Sequence, residues 1–204
     1  MFDKDFFKII DTERKAYWLG FIYADGCVSS DLKSLIIELS TLDLEHLKIL
    51  KNDMNALQPI VDKTTCQRYV VCNKELVRNL IALGCVPKKT FVLTFPTFTQ
   101  VPFHLTSHFI RGYFDGDGCI SIKENRKSKG CMCYDFQILG TYNFLNGIQK
   151  IFYDLGIDVK IYTRGKIFLL RTHVKTKILS IFDYMYHDSN VYLDRKYEKF
   201  TIIK

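Results

Sequence analysis

Trp18-Leu-Gly-Phe-Ile-Tyr-Ala-Asp-Gly-Cys27 and Ile110-Arg-Gly-Tyr-Phe-Asp-Gly-Asp-Gly-Cys119 are one pattern met twice. Gly20 aligns with Gly112 and Asp25 with Asp117, each at an offset of 92 residues. Small residues stand four apart in both copies: Gly20 and Ala24, then Gly112 and Gly116. That spacing puts them on one helix face, where they let two helix backbones approach closely. Glycine inside a helix costs up to ~1 kcal/mol against alanine, so two such helices are expected to pack on each other. Each helix then ends in Asp-Gly. Glycine is usual just past a helix C-terminus. Aspartate there faces the negative end of the helix dipole, at a cost of ~0.3–1 kcal/mol. A cost accepted twice implies a use. Packed side by side, the helices bring Asp25 and Asp117 together, and close carboxylates repel unless a cation lies between them. Such oxygen donors suit Mg²⁺ completed by phosphate oxygens and water, an arrangement for metal-assisted phosphodiester hydrolysis.

Outward from the motif, both halves continue alike. Strand-like runs are expected at 27–29 and 35–40, then at 119–123 and 134–139. Helical stretches follow at 43–57 and 143–155, further strands at 59–64, 68–72, 159–163 and 167–171, and closing helices at 74–83 and 175–184. The expected fold class is α+β: αββαββα, twice, with a first repeat over 1–95, a linker over 96–105 and a second repeat over 106–204. Pro96 and Pro102 mark the linker.

The chain has 204 residues and a net charge of +7, which suits a polyanionic partner. No secretory leader and no apolar run long enough to span a membrane are seen in the sequence, and the seven cysteines show no disulfide-like spacing. A reducing intracellular compartment is expected, cytoplasm or organelle. No cysteine or histidine set has zinc-ligand spacing, and the thiols are expected to be buried or semi-exposed structural groups.

The two motif segments, their spacing and the strand–strand–helix succession resemble the LAGLIDADG homing endonucleases of single-chain, two-repeat type, over nearly the whole chain. The resemblance implies motif helices at the inter-repeat interface and two four-stranded antiparallel sheets forming a saddle over double-stranded DNA. It implies a monomeric, site-specific endonuclease in which Asp25 and Asp117, with Gly26 and Gly118 beside them in the metal site, serve cleavage of one phosphodiester on each strand. The implied cofactor is Mg²⁺, with Mn²⁺ substituting and Ca²⁺ supporting binding without cleavage. Basic residues near the metal are implied at Lys89, in Gly84-Cys-Val-Pro-Lys-Lys-Thr90, and at Lys196, in Tyr192-Leu-Asp-Arg-Lys-Tyr197. The alternative is a relative that binds nucleic acid without cleaving it: an intron-RNA splicing cofactor (a maturase) or a DNA-binding regulator. Asp115 faces Tyr23 in the alignment, so it is read as a satisfied structural carboxylate. Trp18 and Arg111 are placed off the tight helix contact.

Alternation along the strands selects a DNA-facing set. Ser29, Lys33, Glu38, Ser40 and Arg68 represent the first half. Ser121, Lys123, Asn125, Gln137, Lys160, Tyr162, Arg164, Lys166 and Arg171 represent the second. Arg126 and Lys127, in a purely cationic loop, are expected to meet phosphates.

Overall fold

The computed structural model describes residues 2–125 and 130–204. α1 (Glu13–Asp25) starts where the Thr12 hydroxyl accepts the Lys15 N–H at 3.3 Å, with Glu13 in the first turn. β1 (Gly26–Val28), β2 (Ser34–Ser40), α2 (Leu44–Asp53), β3 (Ile60–Lys63), β4 (Cys66–Cys72) and α3 (Lys74–Ala82) complete the first half. Asn73 opens α3 by accepting the N–H groups of Glu75 and Leu76 at 3.0 and 2.9 Å. The second half repeats the succession with α4 (Thr106–Asp117), β5 (Gly118–Glu124), β6 (Met132–Gly140), α5 (Tyr142–Asp154), β7 (Lys160–Arg164), β8 (Ile167–Thr172) and α6 (Lys175–Tyr186). It then adds α7 (Asp194–Ile203).

Each half forms a four-stranded antiparallel sheet, ordered β1-β2-β4-β3 and β5-β6-β8-β7. Leu35, Ile37, Leu39, Tyr69 and Val71 turn inward from the first sheet, and Ile120, Phe136, Ile138 and Leu170 from the second. Their strand neighbours populate the opposite, uncovered faces, as strict alternation requires.

α1 and α4 join the halves. A Cβ on Gly20 would stand 2.0 Å from the Phe109 carbonyl oxygen, and one on Gly112 would stand 1.9 Å from that of Tyr17. Backbone therefore meets backbone at both glycines. Trp18 points out of this contact, giving its indole N–H to Asp53 at 2.6 Å.

The structure adds to the expected pattern in one place and shortens it in another. Both halves keep the αββαββα succession, and the second extends it with α7, which packs Lys196, Phe200 and Ile203 into the core. α2 stops at Asp53 rather than running to 57: Asn55 adopts a left-handed backbone (φ 48°), and the N–H groups of Asn55 and Ala56 close onto the last turn at 2.9 Å each. Gly26 and Gly118 follow the two motif helices in extended backbone. Their φ values are −77° and −93°. Glycine is needed there for space, since a Cβ would lie 2.7 Å from the Ile22 carbonyl oxygen and 2.4 Å from that of Phe114.

Candidate active site

The ends of α1 and α4 lie together. A Cβ on Gly116 would sit 3.0 Å from an Asp25 carboxylate oxygen, so Asp25 leans over the other helix, one residue from Asp117. Burial, and then the Asp117 charge, push the Asp25 carboxyl up from 3.8 to about 6, while Lys196 and Lys89 oppose the rise. Asp117 is also raised, by burial, against the pull of Lys89, a hydrogen bond from Tyr113, and Lys196. The stronger cation for each aspartate thus comes from the other half of the chain.

The lysines dock on equivalent carbonyls. Lys89 Nζ donates to Ala24 O at 3.1 Å and Gly26 O at 2.5 Å. Lys196 Nζ donates to Gly116 O at 3.3 Å and Gly118 O at 2.7 Å, and also to Phe114 O and Asp115 O at 2.7 and 2.6 Å. Each ammonium therefore sits on the carbonyl end of a motif helix and offsets the dipole that disfavours the aspartate. Burial lowers Lys196 to about 8 despite the neighbouring Asp115. Lys89 reaches its place through a left-handed turn at Lys88 (φ 54°). With Asp117, Tyr113 and Thr141 it lines a cleft of about 200 Å³.

A divalent cation fits this donor set in part. Two half-buried carboxylates, both held above their ordinary range, would lose their mutual repulsion on sharing a cation. The carbonyls of Gly26 and Gly118, expected in the metal site, are instead engaged by ammonium groups at 2.5 and 2.7 Å. A cation on those oxygens would face a positive charge, so the aspartates carry the site. Among the described residues no group of three or more His, Cys, Asp or Glu gathers around a metal position. Any remaining ligands would therefore be water and phosphate.

Behind the aspartates lies a buried polar layer that the sequence did not disclose. Tyr17 gives its hydroxyl proton to Asp115 at 2.6 Å, so His46, 2.8 Å from the same oxygen, donates from Nε2. Asp115 also accepts the Leu193 N–H at 2.9 Å and is raised to about 6 by burial. This is the satisfied carboxylate expected, and it fixes the start of α7. Arg195 completes that anchorage with a bidentate pair to Asp43 at 2.9 Å. Arg111 is fully buried, bonded to Glu13 at 2.7 Å and to the carbonyls of Met185 and Val191 at 2.6 and 3.0 Å. It ties the start of α1 to the second half. A charged side chain in a helix otherwise lined with aromatics was the available signal.

The residues selected by alternation fall on the uncovered sheet faces or at their ends. Glu38 and Arg68 are opposite neighbours, and Glu38 pairs with Lys63 at 3.2 Å and with Arg68 at 3.4 Å. Ser121, Lys123, Gln137, Lys160, Tyr162, Arg164 and Arg171 share the open face of the second sheet. Asp135 holds Arg171 through two bonds at 2.8 and 2.7 Å and accepts from Gln137 at 2.5 Å. Ser29 and Lys33 belong to the β1–β2 turn, where the Ser29 hydroxyl donates to Asp31 at 2.6 Å and Lys33 pairs with Asp31 at 3.6 Å. The Ser40 hydroxyl accepts the Leu42 N–H at 3.3 Å, and Lys166 lies in the β7–β8 turn. Asn125 follows β5, its N–H donating to the Cys131 carbonyl at 2.7 Å. Arg126 and Lys127 lie outside the described residues. Half-buried Cys66 and buried Cys85 meet the expectation for the thiols, and the other five cysteines depart from it. Cys27, Cys72, Cys119, Cys131 and Cys133 are exposed, and Cys85 is buried.

Residues 105–180 match the family model of a LAGLIDADG-like domain. The DNA complex of I-GzeII, a LAGLIDADG homing endonuclease, superposes with a TM-score of 0.65 at 12% identity, covering 92% of this chain and 88% of that one. The LAGLIDADG meganuclease I-AabMI bound to uncleaved DNA gives 0.63 at 14%, covering 92% and 87%. I-SmaMI, bound to uncleaved DNA in the presence of calcium ions, gives 0.63 at 15%, covering 92% and 88%. The second half is thus similar to a LAGLIDADG-like domain, and the chain as a whole shares the fold of these proteins. Its likeness to these single-chain structures runs through both repeats and reports the fold. A curated relative, the probable translation initiation factor IF-2 of Methanocaldococcus jannaschii, is 26% identical over 208 residues. That match takes in 92% of this chain but only 17% of the relative's length. Among the described residues no helix is long and apolar enough to cross a membrane.

Proposed function

We propose that the chain is a monomeric, site-specific double-strand DNA endonuclease that cuts one phosphodiester on each strand with a divalent metal, Mg²⁺ or Mn²⁺. The observation that supports this best is the pairing at the helix ends: two aspartates set together between two lysines, at the seam of two uncovered sheets. One site for each strand needs such a duplicate arrangement. The repeat boundaries 1–95 and 106–204, with the linker over 96–105, belong to the same reading.

When bound, the cation supplies Lewis-acid activation of the phosphate and of water. The chain's own groups supply the rest. Asp25 and Asp117 provide the anionic ligands. Lys89 and Lys196, each pinned on backbone carbonyls, hold positive charge beside the reacting phosphates and are pre-oriented for the charge that develops there. The open sheets position the duplex, and basic side chains such as Lys123, Lys160 and Arg164 neutralise its backbone.

The test is incubation with Mg²⁺ and a plasmid library of random inserts. The wild type should cut both strands at a narrow set of sequences. Asp25→Asn should bind the same sequences in Ca²⁺ and cut at least 100-fold more slowly, on the order expected when a charge-stabilising group is lost. Undiminished cutting by Asp25→Asn and Asp117→Asn removes the site assignment. Specific binding without cutting by the wild type shifts the reading to a non-cleaving regulator, and preference for structured intron RNA shifts it to a splicing cofactor.

A further inference from the structure

The two sheets are built alike, but their open faces are not alike. Cys27, Ile36 and Val70 form one row across β1, β2 and β4, two residues beyond Asp25. The equivalent row two residues beyond Asp117 is Cys119, Gln137, Arg171 and Lys160. One strand pleat nearer the centre the chemistry reverses. The first sheet there carries Glu38, Arg68 and Val61, and the second carries Leu139, Leu169 and Tyr162. Rows dominated by charged or amide side chains alternate with rows that present mainly aliphatic or aromatic surface, and the two halves are out of step.

Apolar side chains in the major groove distinguish one feature well, the C5-methyl of thymine. Cys27 is exposed, and Ile36 and Val70 are partly so. In the second half Tyr162 is 49% exposed beside Leu139 and Leu169. The polar row of the second half is pre-oriented by Asp135, which holds both Gln137 and Arg171. Resting on the DNA-binding reading above, we infer that each half-site is read through thymine methyls at one row. That row lies farther from the cleavage centre under the first repeat, at Cys27–Ile36–Val70, and nearer under the second, at Leu139–Tyr162. A pleat of two residues is about 7 Å, or about two base pairs. The target is therefore asymmetric in a stated way: its methyl-read positions differ by about two base pairs in distance from the centre.

The duplex bound most tightly is first selected from a random library in Ca²⁺, and its centre is fixed by the Mg²⁺ cuts or by the footprint. Each thymine is then replaced singly by uracil, which removes only the methyl. Affinity should fall about fourfold at each methyl-read position, the value of one buried carbon group. The outer sensitive position should become indifferent in Ile36→Ser/Val70→Ser, and the inner one in Tyr162→Ser, with unchanged melting temperatures as the check on folding. Sensitive positions at equal distances from the centre overturn the inference, as does indifference to uracil everywhere while specific binding persists. Failure to select any duplex overturns the DNA-binding reading itself, a result distinct from either.

Discussion

Replacing Asp25 with asparagine should abolish the proposed activity and yet stabilise the metal-free protein. Burial and the Asp117 charge raise the Asp25 carboxyl from 3.8 to about 6. At 1.36 kcal/mol per pH unit this amounts to about 3 kcal/mol against the ionised form. A folded-state value above the unfolded one means that the penalty is full above pH 6, shrinks as the pH falls, and is gone below 3.8. Asparagine has the shape of the carboxyl without the charge. Asp25→Asn should therefore exceed the wild type by up to about 3 kcal/mol at pH 8, with the gap closing between pH 6 and 3.8. For a chain of this size each kcal/mol moves the melting temperature by about 2–4 °C. Urea titrations at pH 8, 6 and 4 in EDTA measure the gap directly. Adding Mg²⁺ should raise the wild type in proportion to its binding and raise the variant less. A variant less stable than the wild type at pH 8, or a gap that ignores pH, refutes the account of strain at this carboxylate.

Further outcomes follow from the same structure. Gly112→Ala would place a methyl 1.9 Å from the Tyr17 carbonyl oxygen, so urea unfolding should show a loss of about 3 kcal/mol or more as the helices are forced apart. Lys196→Met leaves the carbonyls of Phe114, Asp115, Gly116 and Gly118 without their donor and should cost about 2–4 kcal/mol. Lys89→Met, which vacates only two carbonyls in a more open place, should cost less; thermal melts compare the two, and equal losses would contradict the difference in burial. Burial holds His46 at about 4, below its ordinary 6.5, so it is neutral in the fold. The stability this confers is present above pH 6.5 and fades as the pH falls toward 4, by about 3 kcal/mol at most. His46→Gln should flatten that part of the melting-temperature profile.

Much of this architecture is legible because it rests on short-range rules. The motif helices announce themselves through small residues four apart, and the sheets through alternation that places Ile120 and Phe136 inward and Ser121 and Gln137 outward. What escapes depends on distant partners. The sequence around Arg111 gives no hint that Glu13, Met185 and Val191 will surround its guanidinium. α7 is missed because a ten-residue helix is marginal alone and is held by Asp115, Asp43 and the Phe200 contacts, all remote in sequence. The space that Gly26 and Gly118 keep free is hidden for a related reason. Composition cannot tell a glycine needed for a left-handed turn from one needed because a side chain lies where its Cβ would be.

The lysines show what the site holds constant. The motifs repeat at an offset of 92 residues, whereas Lys89 and Lys196 are separated by 107. One lysine arrives through a strained turn and the other on a helix absent from the first half. Even so, both ammonium groups rest on the carbonyls one residue before and one residue after the aspartate. Those carbonyls are the acceptors that a helix leaves unpaired where it ends, so the position of the charge is set by the helix terminus and not by the route of the chain. The same ammonium makes an aspartate tolerable at the negative end of a dipole. Acid and base are thus two consequences of one structural event, the termination of α1 and α4 side by side. A second repeat with a different tail can therefore rebuild the same site without repeating the sequence that built the first.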